Sequence, residues 1–184
     1  MLRLRLIVLL IAVAAAAAAA RADQTDKRLD ALFAQLAATK DALQGGSIAG
    51  KIWQIWLETP NGKAKALLAE GIEEMDGEDY DAALQDFNKL VVLAPTFAEA
   101  WNRRATLLFL MDDLDGSVRD IERTLALEPR HFGALSGLGL IYMQLGKDDA
   151  ALKAFKRALE INPYLSGAKQ HIEALEKRLR NRAI

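Results

Sequence analysis

Apolar residues recur at helical spacing from about residue 29 to residue 180, and short polar turns interrupt them. Intervals of three and four residues place such side chains on one face of an α-helix. In the last segment Ala168, Ile172, Leu175 and Leu179 form an apolar face, and the opposite face is charged. The pattern predicts an all-α fold of amphipathic helices joined by tight turns.

The pattern has a fixed period, which three prolines mark. Pro95, Pro129 and Pro163 lie 34 residues apart. Residues ahead of them keep the same step: small at Gly71, Ala105 and Gly139, small again at Ala83, Ser117 and Ala151, and large at Phe87, Ile121 and Phe155. Such a period predicts stacked helical hairpins that bury their faces against one another.

Three regular units follow from this period, at residues 64–97, 98–131 and 132–165, and residues 166–184 form a capping helix and the C-terminus. Within each unit a turn joins two helices of about 14 residues. Gly77 and Gly146 are expected to take positive φ in these turns. Asp79, Asp113 and Asp148 are expected to start the second helices.

Residues 23–63 are helical but irregular. The first helix is expected to break at residues 44–46, where two glycines lie, and a second helix is expected over residues 47–58 with Ser47 as its N-cap. Counting back 34 residues puts Phe33, Ala49 and Trp53 in step with the regular units. This segment is therefore predicted to be a degenerate hairpin that starts the stack.

The first 22 residues have the pattern of a signal peptide. Arg3 and Arg5 precede an apolar run over residues 6–20, and Ala20 and Ala22 flank Arg21 in a small-x-small site. The pattern predicts cleavage after Ala22, export and a periplasmic location. An uncleaved signal-anchor and a soluble alanine-rich helix stay open as alternatives.

The 34-residue unit resembles the tetratricopeptide repeat. The third unit carries the resemblance best, through Leu135, Leu138, Gly139, Tyr142, Ala151, Phe155, Ala158 and Pro163. The resemblance implies an α-solenoid of helix–turn–helix repeats with a C-terminal capping helix. It also implies non-catalytic binding of a protein or peptide.

In this family the first helices line a concave groove, whose exposed positions are the second, fifth, ninth and twelfth of each unit. Lys65 and Gly133 stand at two of these positions. The other ten are predicted to contact a partner: Leu68, Ile72, Met75, Glu99, Asn102, Thr106, Phe109, Ser136, Leu140 and Met143. The alternative is that some of them pack internally or beneath the terminal helix.

One subtype of the family holds a partner's C-terminal carboxylate with lysine, asparagine and arginine. Here Leu68, Ile72 and Gly133 stand at places of that set, and only Asn102 and Arg103 resemble it. We therefore do not expect a carboxylate clamp.

Composition narrows the chemistry further. The chain has no cysteine and a formal charge of −1, which argues against disulfides, thiolate chemistry and a basic nucleic-acid coat. His131 and His171 are too far apart for a metal-ligand motif and are expected at the surface. The acidic pairs are expected on helix surfaces and turns. No enzyme activity, cofactor or metal is predicted.

The sequence therefore predicts a non-catalytic periplasmic adaptor or assembly factor that binds a partner segment in its groove. Two alternatives stay open: a self-associating scaffold of the cell envelope, and an accessory subunit of an envelope enzyme. Nucleic acid is not an expected partner, and membrane contact is expected only through an uncleaved signal-anchor.

The signal peptide gives a first testable prediction. Protein recovered from the periplasmic fraction should begin at Asp23, because Ala20 and Ala22 occupy the two small positions of the cleavage site. N-terminal sequencing checks this. Recovery of the chain with an intact Met1 in the membrane fraction would contradict it.

Overall fold

The computed structural model describes residues 26–182, so the predicted signal peptide and residues 183–184 lie outside the described residues. Residues 26–182 contain nine α-helices and no strand, which confirms the all-α prediction. The helices are α1 Lys27–Ala38, α2 Ala42–Trp56, α3 Gly62–Asp76, α4 Tyr80–Leu93, α5 Ala98–Leu110, α6 Leu114–Leu127, α7 Phe132–Gln144, α8 Asp148–Ile161 and α9 Ser166–Arg182.

The helices from α3 onward form the predicted α-solenoid. The pairs α3–α4, α5–α6 and α7–α8 are hairpins, and α4 and α6 each also pack on the first helix of the next pair. The first helices α3, α5 and α7 touch side by side. At the end of the stack α9 packs on α8, and the buried carboxylate of Asp148 pairs with Arg178 and Arg182. None of the helices between residues 26 and 182 is long and apolar enough to cross a membrane.

The small residues of the period lie where paired helices approach closely. A Cβ added at Gly71 would come within 2.7 Å of the Phe87 ring, and one at Gly139 within 2.7 Å of the Phe155 ring. Both phenylalanines are fully buried. The aromatic ring of the second helix therefore occupies the space that a side chain on the first helix would need.

The turns within the hairpins use positive φ at one repeating position, which was predicted correctly at Gly146 but one residue too early at Gly77. Glu78, Asp112 and Gly146 have φ of 61°, 63° and 68° and lie one period apart. The expectation for Gly77 was wrong, because its φ is −81°. Only the third unit has glycine at the left-handed position, so the other two turns hold a side chain in a strained backbone.

The aspartates after these turns differ in role. Asp79 and Asp113 cap α4 and α6 as predicted, since their carboxylates accept from the amides of Ala82 and Gly116. Asp148 is instead the first residue of α8, and its carboxylate is buried against the arginines of α9.

The predicted break at residues 44–46 was wrong. Helix α2 begins at Ala42, and Asp41 caps it by accepting from the Gln44 amide at 2.8 Å. Gly45 lies inside the helix, where any Cβ would overlap the Tyr164 ring. The glycine therefore allows a close approach between distant segments, which local sequence reasoning reads as a helix end.

The N-terminal hairpin, α1 and α2, does not pack at the place that counting back one 34-residue period predicted. Its core contains Phe132 at the start of α7, and Ile161, Tyr164 and Leu165 pack against that core. The Tyr164 hydroxyl donates to the Thr39 carbonyl at 2.5 Å. The hairpin thus lies along the turns between units instead of starting the stack.

Two glycines of α7 give a matched test of the close helix contact. Gly139→Ala should lower the free energy of unfolding by about 1–3 kcal/mol, because its Cβ would overlap the Phe155 ring. Gly137→Ala should raise it by about 0.5–1 kcal/mol, because its Cβ meets only Ile121 at 3.5 Å and alanine favours the helix. Urea denaturation measures both, and an equal effect of the two changes would contradict the packing described.

Candidate functional site

One half of the concave groove is open. It consists of the ninth and twelfth positions of the three units, and the name "open half" is used for these six residues: Ile72, Met75, Thr106, Phe109, Leu140 and Met143. Thr106 and Leu140 are exposed, and the other four are half-buried. All six side chains are therefore at least partly accessible to a partner. The surface that they form is apolar apart from the hydroxyl of Thr106, and accessible apolar surface is typical of interaction sites.

A cavity of about 250 Å³ opens from this surface between α5, α6 and α7. Its exposed and half-buried lining includes Thr106, Phe109 and Leu140, and Ala105 and Ile121 form part of the buried wall. Small residues of α7 form much of the cavity wall, and Leu140 and Ile141 of the same helix complete it. The small residues are Gly133, Ala134, Ser136 and Gly137.

The other half of the groove is covered apart from the exposed Lys65, which corrects the prediction for three residues. Leu68, Glu99 and Asn102 were expected to be exposed, but each is buried. Helix α2 lies over this region: the Trp53 ring covers Gly133, and Leu57 packs on the cluster that contains Leu68. The name "covered half" refers below to Leu68, Glu99, Asn102 and Gly133.

The buried carboxylate of Glu99 is the centre of a polar network in the covered half. It accepts from Asn102 Nδ2 at 3.0 Å and from Arg103 Nε at 2.6 Å, and it lies 3.1 Å from His131 Nε2. His131 Nδ1 accepts from the Ala134 amide at 3.0 Å and thereby caps α7. A neutral ring that accepts at Nδ1 carries its proton on Nε2, so His131 donates to Glu99.

Two tryptophans of α2 seal this network from solvent. Trp56 stacks on the His131 ring with centroids 4.1 Å apart and planes at 10°. Trp53 meets both His131 and Phe132 edge-on, at 5.3 and 5.6 Å. His131 is 0% exposed, so its expected surface position was wrong. Sequence reasoning missed this contact, and its signal in the sequence was the pair of tryptophans in α2.

Arg130 links the N-terminal hairpin to the segment between α6 and α7. Arg130 Nη1 pairs with Asp30 of α1 at 2.7 Å, and Arg130 Nε pairs with the buried Glu128 at 3.0 Å. The guanidinium also lies 4.4 Å from the centroid of the Phe33 ring. The hydrogen bond to Glu128 and, to a smaller extent, the one to Asp30 raise the pKa of Arg130. Its side chain is therefore a cation at any working pH.

Other side chains that were considered for binding a ligand or a metal contact groups within the chain instead. Asn102 and Arg103, which alone resembled a carboxylate clamp, both bond to Glu99. His171 is half-buried and stacks on Phe155 with centroids 5.0 Å apart, which differs from the expected surface position. Across the described part of the chain, no group of three or more histidine or acidic residues could hold a metal ion.

Comparison with known proteins finds the same repeat in the sequence. Models described as tetratricopeptide repeat match residues 68–117 and 133–165. A TPR repeat-containing protein of Rhizobium etli is 38% identical over 153 residues, which are 83% of this chain and 75% of that protein.

Solved structures give the same fold. MamA is 30% identical with a TM-score of 0.60, over 64% of this chain and 70% of that one. The first TPR of Spaghetti (RPAP3), bound to the HSP90 peptide SRMEEVD, is 24% identical with a TM-score of 0.62, over 64% of this chain and 94% of that one. The second likeness shows the fold alone.

The seal over the covered half can be tested within α2. Trp56→Ala should lower the free energy of unfolding by about 3–5 kcal/mol, because Trp56 is 2% exposed and packs on His131 and Phe132. Leu43→Ala is the control, since Leu43 is 87% exposed and its loss should change stability by less than about 0.5 kcal/mol. Urea denaturation of both variants checks this, and similar midpoints would contradict the docking of α2.

Proposed function

We propose that this chain, which belongs to the tetratricopeptide repeat family, binds a segment of a partner protein in the open half of its groove. The observation that carries the proposal is the accessible apolar surface around Phe109 and Leu140, next to a cavity, while Trp53 of α2 covers the neighbouring Gly133. Accessible apolar surface of this kind marks interaction sites.

The dimensions of the open half suggest the size of the segment. Helices that pack side by side lie about 8–10 Å apart, so the span from Ile72 across Thr106 to Leu140 is roughly 20 Å. A helix rises about 1.5 Å per residue, so about 13 residues of helix would cross it. An extended segment would need about six residues.

The chemistry of the open half indicates the partner's contacting face. Its six side chains carry no charge, and Met75 and Met143 at its edge are flexible thioethers that adapt to different shapes. An amphipathic helix that presents its apolar face would suit this surface. The RPAP3 domain named above is bound to an HSP90 peptide, which supports peptide binding as the mode for this chain as well.

The proposed setting is the periplasm, and the proposed role is that of a non-catalytic adaptor or assembly factor. The location rests on the signal-peptide pattern before Asp23. An accessory subunit of an envelope enzyme would bind in the same way and differ only in its partner. A self-associating scaffold would place a second copy in the groove, and light scattering of the purified chain distinguishes it from the adaptor.

Phe109→Glu should weaken binding at least about tenfold, because aromatic anchors near the centre of an interface carry much of its energy. The partner is first captured from envelope extract and identified, and its affinity for each variant is then measured by calorimetry. Val92→Glu is the matched control, since Val92 is 81% exposed and lies on α4, outside the groove.

A second variant separates binding from folding. Thr106 is exposed in the open half, so Thr106→Glu adds the same charge without touching the core. We expect it to weaken binding while circular dichroism stays unchanged. If both variants fold and bind the partner normally, the partner binds another face of the molecule and the proposal is wrong.

A further inference from the structure

We propose that the cavity between α5, α6 and α7 binds one aromatic side chain that carries a single hydrogen-bonding atom, a tyrosine or a tryptophan. This inference rests on the proposed function, because it identifies the anchor that a partner segment would insert beside Phe109 and Leu140. The size of the cavity, its polarity and one unsatisfied hydroxyl in its wall support this inference.

The size of the cavity suits one ring system. An apolar cavity of about 150 Å³ inside a protein holds benzene. This cavity measures about 250 Å³, so it accepts a phenol or an indole ring with room for its linking methylene. It is too small for a folded peptide segment, so it can take only one side chain while the rest of the partner lies on the open half.

The polarity of the cavity excludes a charged occupant. Its lining residues are apolar or neutral throughout, and none of them is ionisable. A charged group moved into such a space would lose its hydration without a counter-charge. The half-buried ring of Phe109 adds an aromatic wall, against which a second ring packs well in an edge-on or offset arrangement.

The polar groups in the lining are already bonded, with one exception. Ser117 Oγ donates to the Ala105 carbonyl at 2.7 Å, and Thr106 Oγ1 donates to the Asn102 carbonyl at 3.0 Å. Asn102 donates to Glu99. Ser136 Oγ is buried and has no hydrogen-bond partner anywhere in residues 26–182.

The free hydroxyl of Ser136 selects among uncharged occupants. A buried polar group without a partner is costly, and an occupant toward which the Ser136 side chain rotates would bond to its hydroxyl and remove that cost. Leucine and phenylalanine side chains fill the space but leave Ser136 unsatisfied. A tyrosine hydroxyl can donate or accept, and a tryptophan ring nitrogen can donate to the serine oxygen. The geometry therefore favours these two side chains.

The test uses side-chain analogues on the folded chain and follows backbone amide shifts by NMR. The probes are p-cresol for tyrosine, 3-methylindole for tryptophan and toluene for phenylalanine. All three should shift the amides of Gly137 and its neighbours in α7. Ser136→Ala should weaken p-cresol and 3-methylindole about tenfold, because it removes one hydrogen bond, and should leave the affinity for toluene within about twofold.

A second pair of variants tests the space itself. Gly137→Leu places a side chain in the cavity and should abolish the shifts from all three probes. Gly50→Leu adds the same side chain in α2, where nothing lies within 4 Å of its Cβ, and should leave them unchanged. If Gly137→Leu fails to fold by circular dichroism, Gly137→Ala replaces it and should still weaken all three probes.

Three outcomes would overturn the inference: no binding of any probe, shifts confined to residues outside α5 to α7, or equal losses for toluene and p-cresol in Ser136→Ala. The proposed function fails separately. If the probes bind in the cavity but Phe109→Glu and Thr106→Glu bind the partner normally, the cavity site is supported and the proposed binding of a partner in the groove is wrong. If no probe binds in the cavity and those variants lose the partner, binding in the groove is supported and the aromatic anchor is wrong.

Discussion

The arrangement of this molecule depends on the hydrogen bonds around the buried carboxylate of Glu99. A carboxylate in the interior is tolerated only when hydrogen bonds replace its hydration. Asn102 and Arg103 supply two of them from the same helix, and His131 supplies the third from the start of α7. The stacked ring of Trp56 then excludes water, so one network joins the second unit, the third unit and the N-terminal hairpin.

This network divides the groove into two halves with different chemistry. Where α2 lies over Glu99, the side chains of Glu99, Asn102 and His131 form hydrogen bonds within the chain. Beyond the reach of α2 the first helices present apolar side chains and, at the small residues Ser136 and Gly137, an unfilled cavity. The partner site is thus defined as much by what the hairpin covers as by what the repeats expose.

Most of the solenoid could be predicted from the sequence, because its contacts recur with the period. Gly71 under Phe87 and Gly139 under Phe155 are local pairs that a repeating pattern reveals. The docking of α2 could not be predicted, since Trp56 meets His131 and Gly45 meets Tyr164 only through the tertiary fold. Glu99 and His131 therefore looked exposed, and the hydroxyl of Ser136 gave no signal. Thr106 and Leu140 are exposed and Phe109 is half-buried in the structure, and their contact with a partner stays a prediction.

The contact between Trp56 and His131 is the most direct test of this account. A nuclear Overhauser spectrum of the folded chain should contain cross-peaks between the indole protons of Trp56 and the imidazole protons of His131, whose centroids lie 4.1 Å apart. The Phe155 ring should give cross-peaks to the Gly139 Hα protons in the same spectrum, as an internal control. Loss of the Trp56–His131 cross-peaks while the Phe155–Gly139 cross-peaks persist would show that the hairpin does not cover Glu99 and would contradict the account.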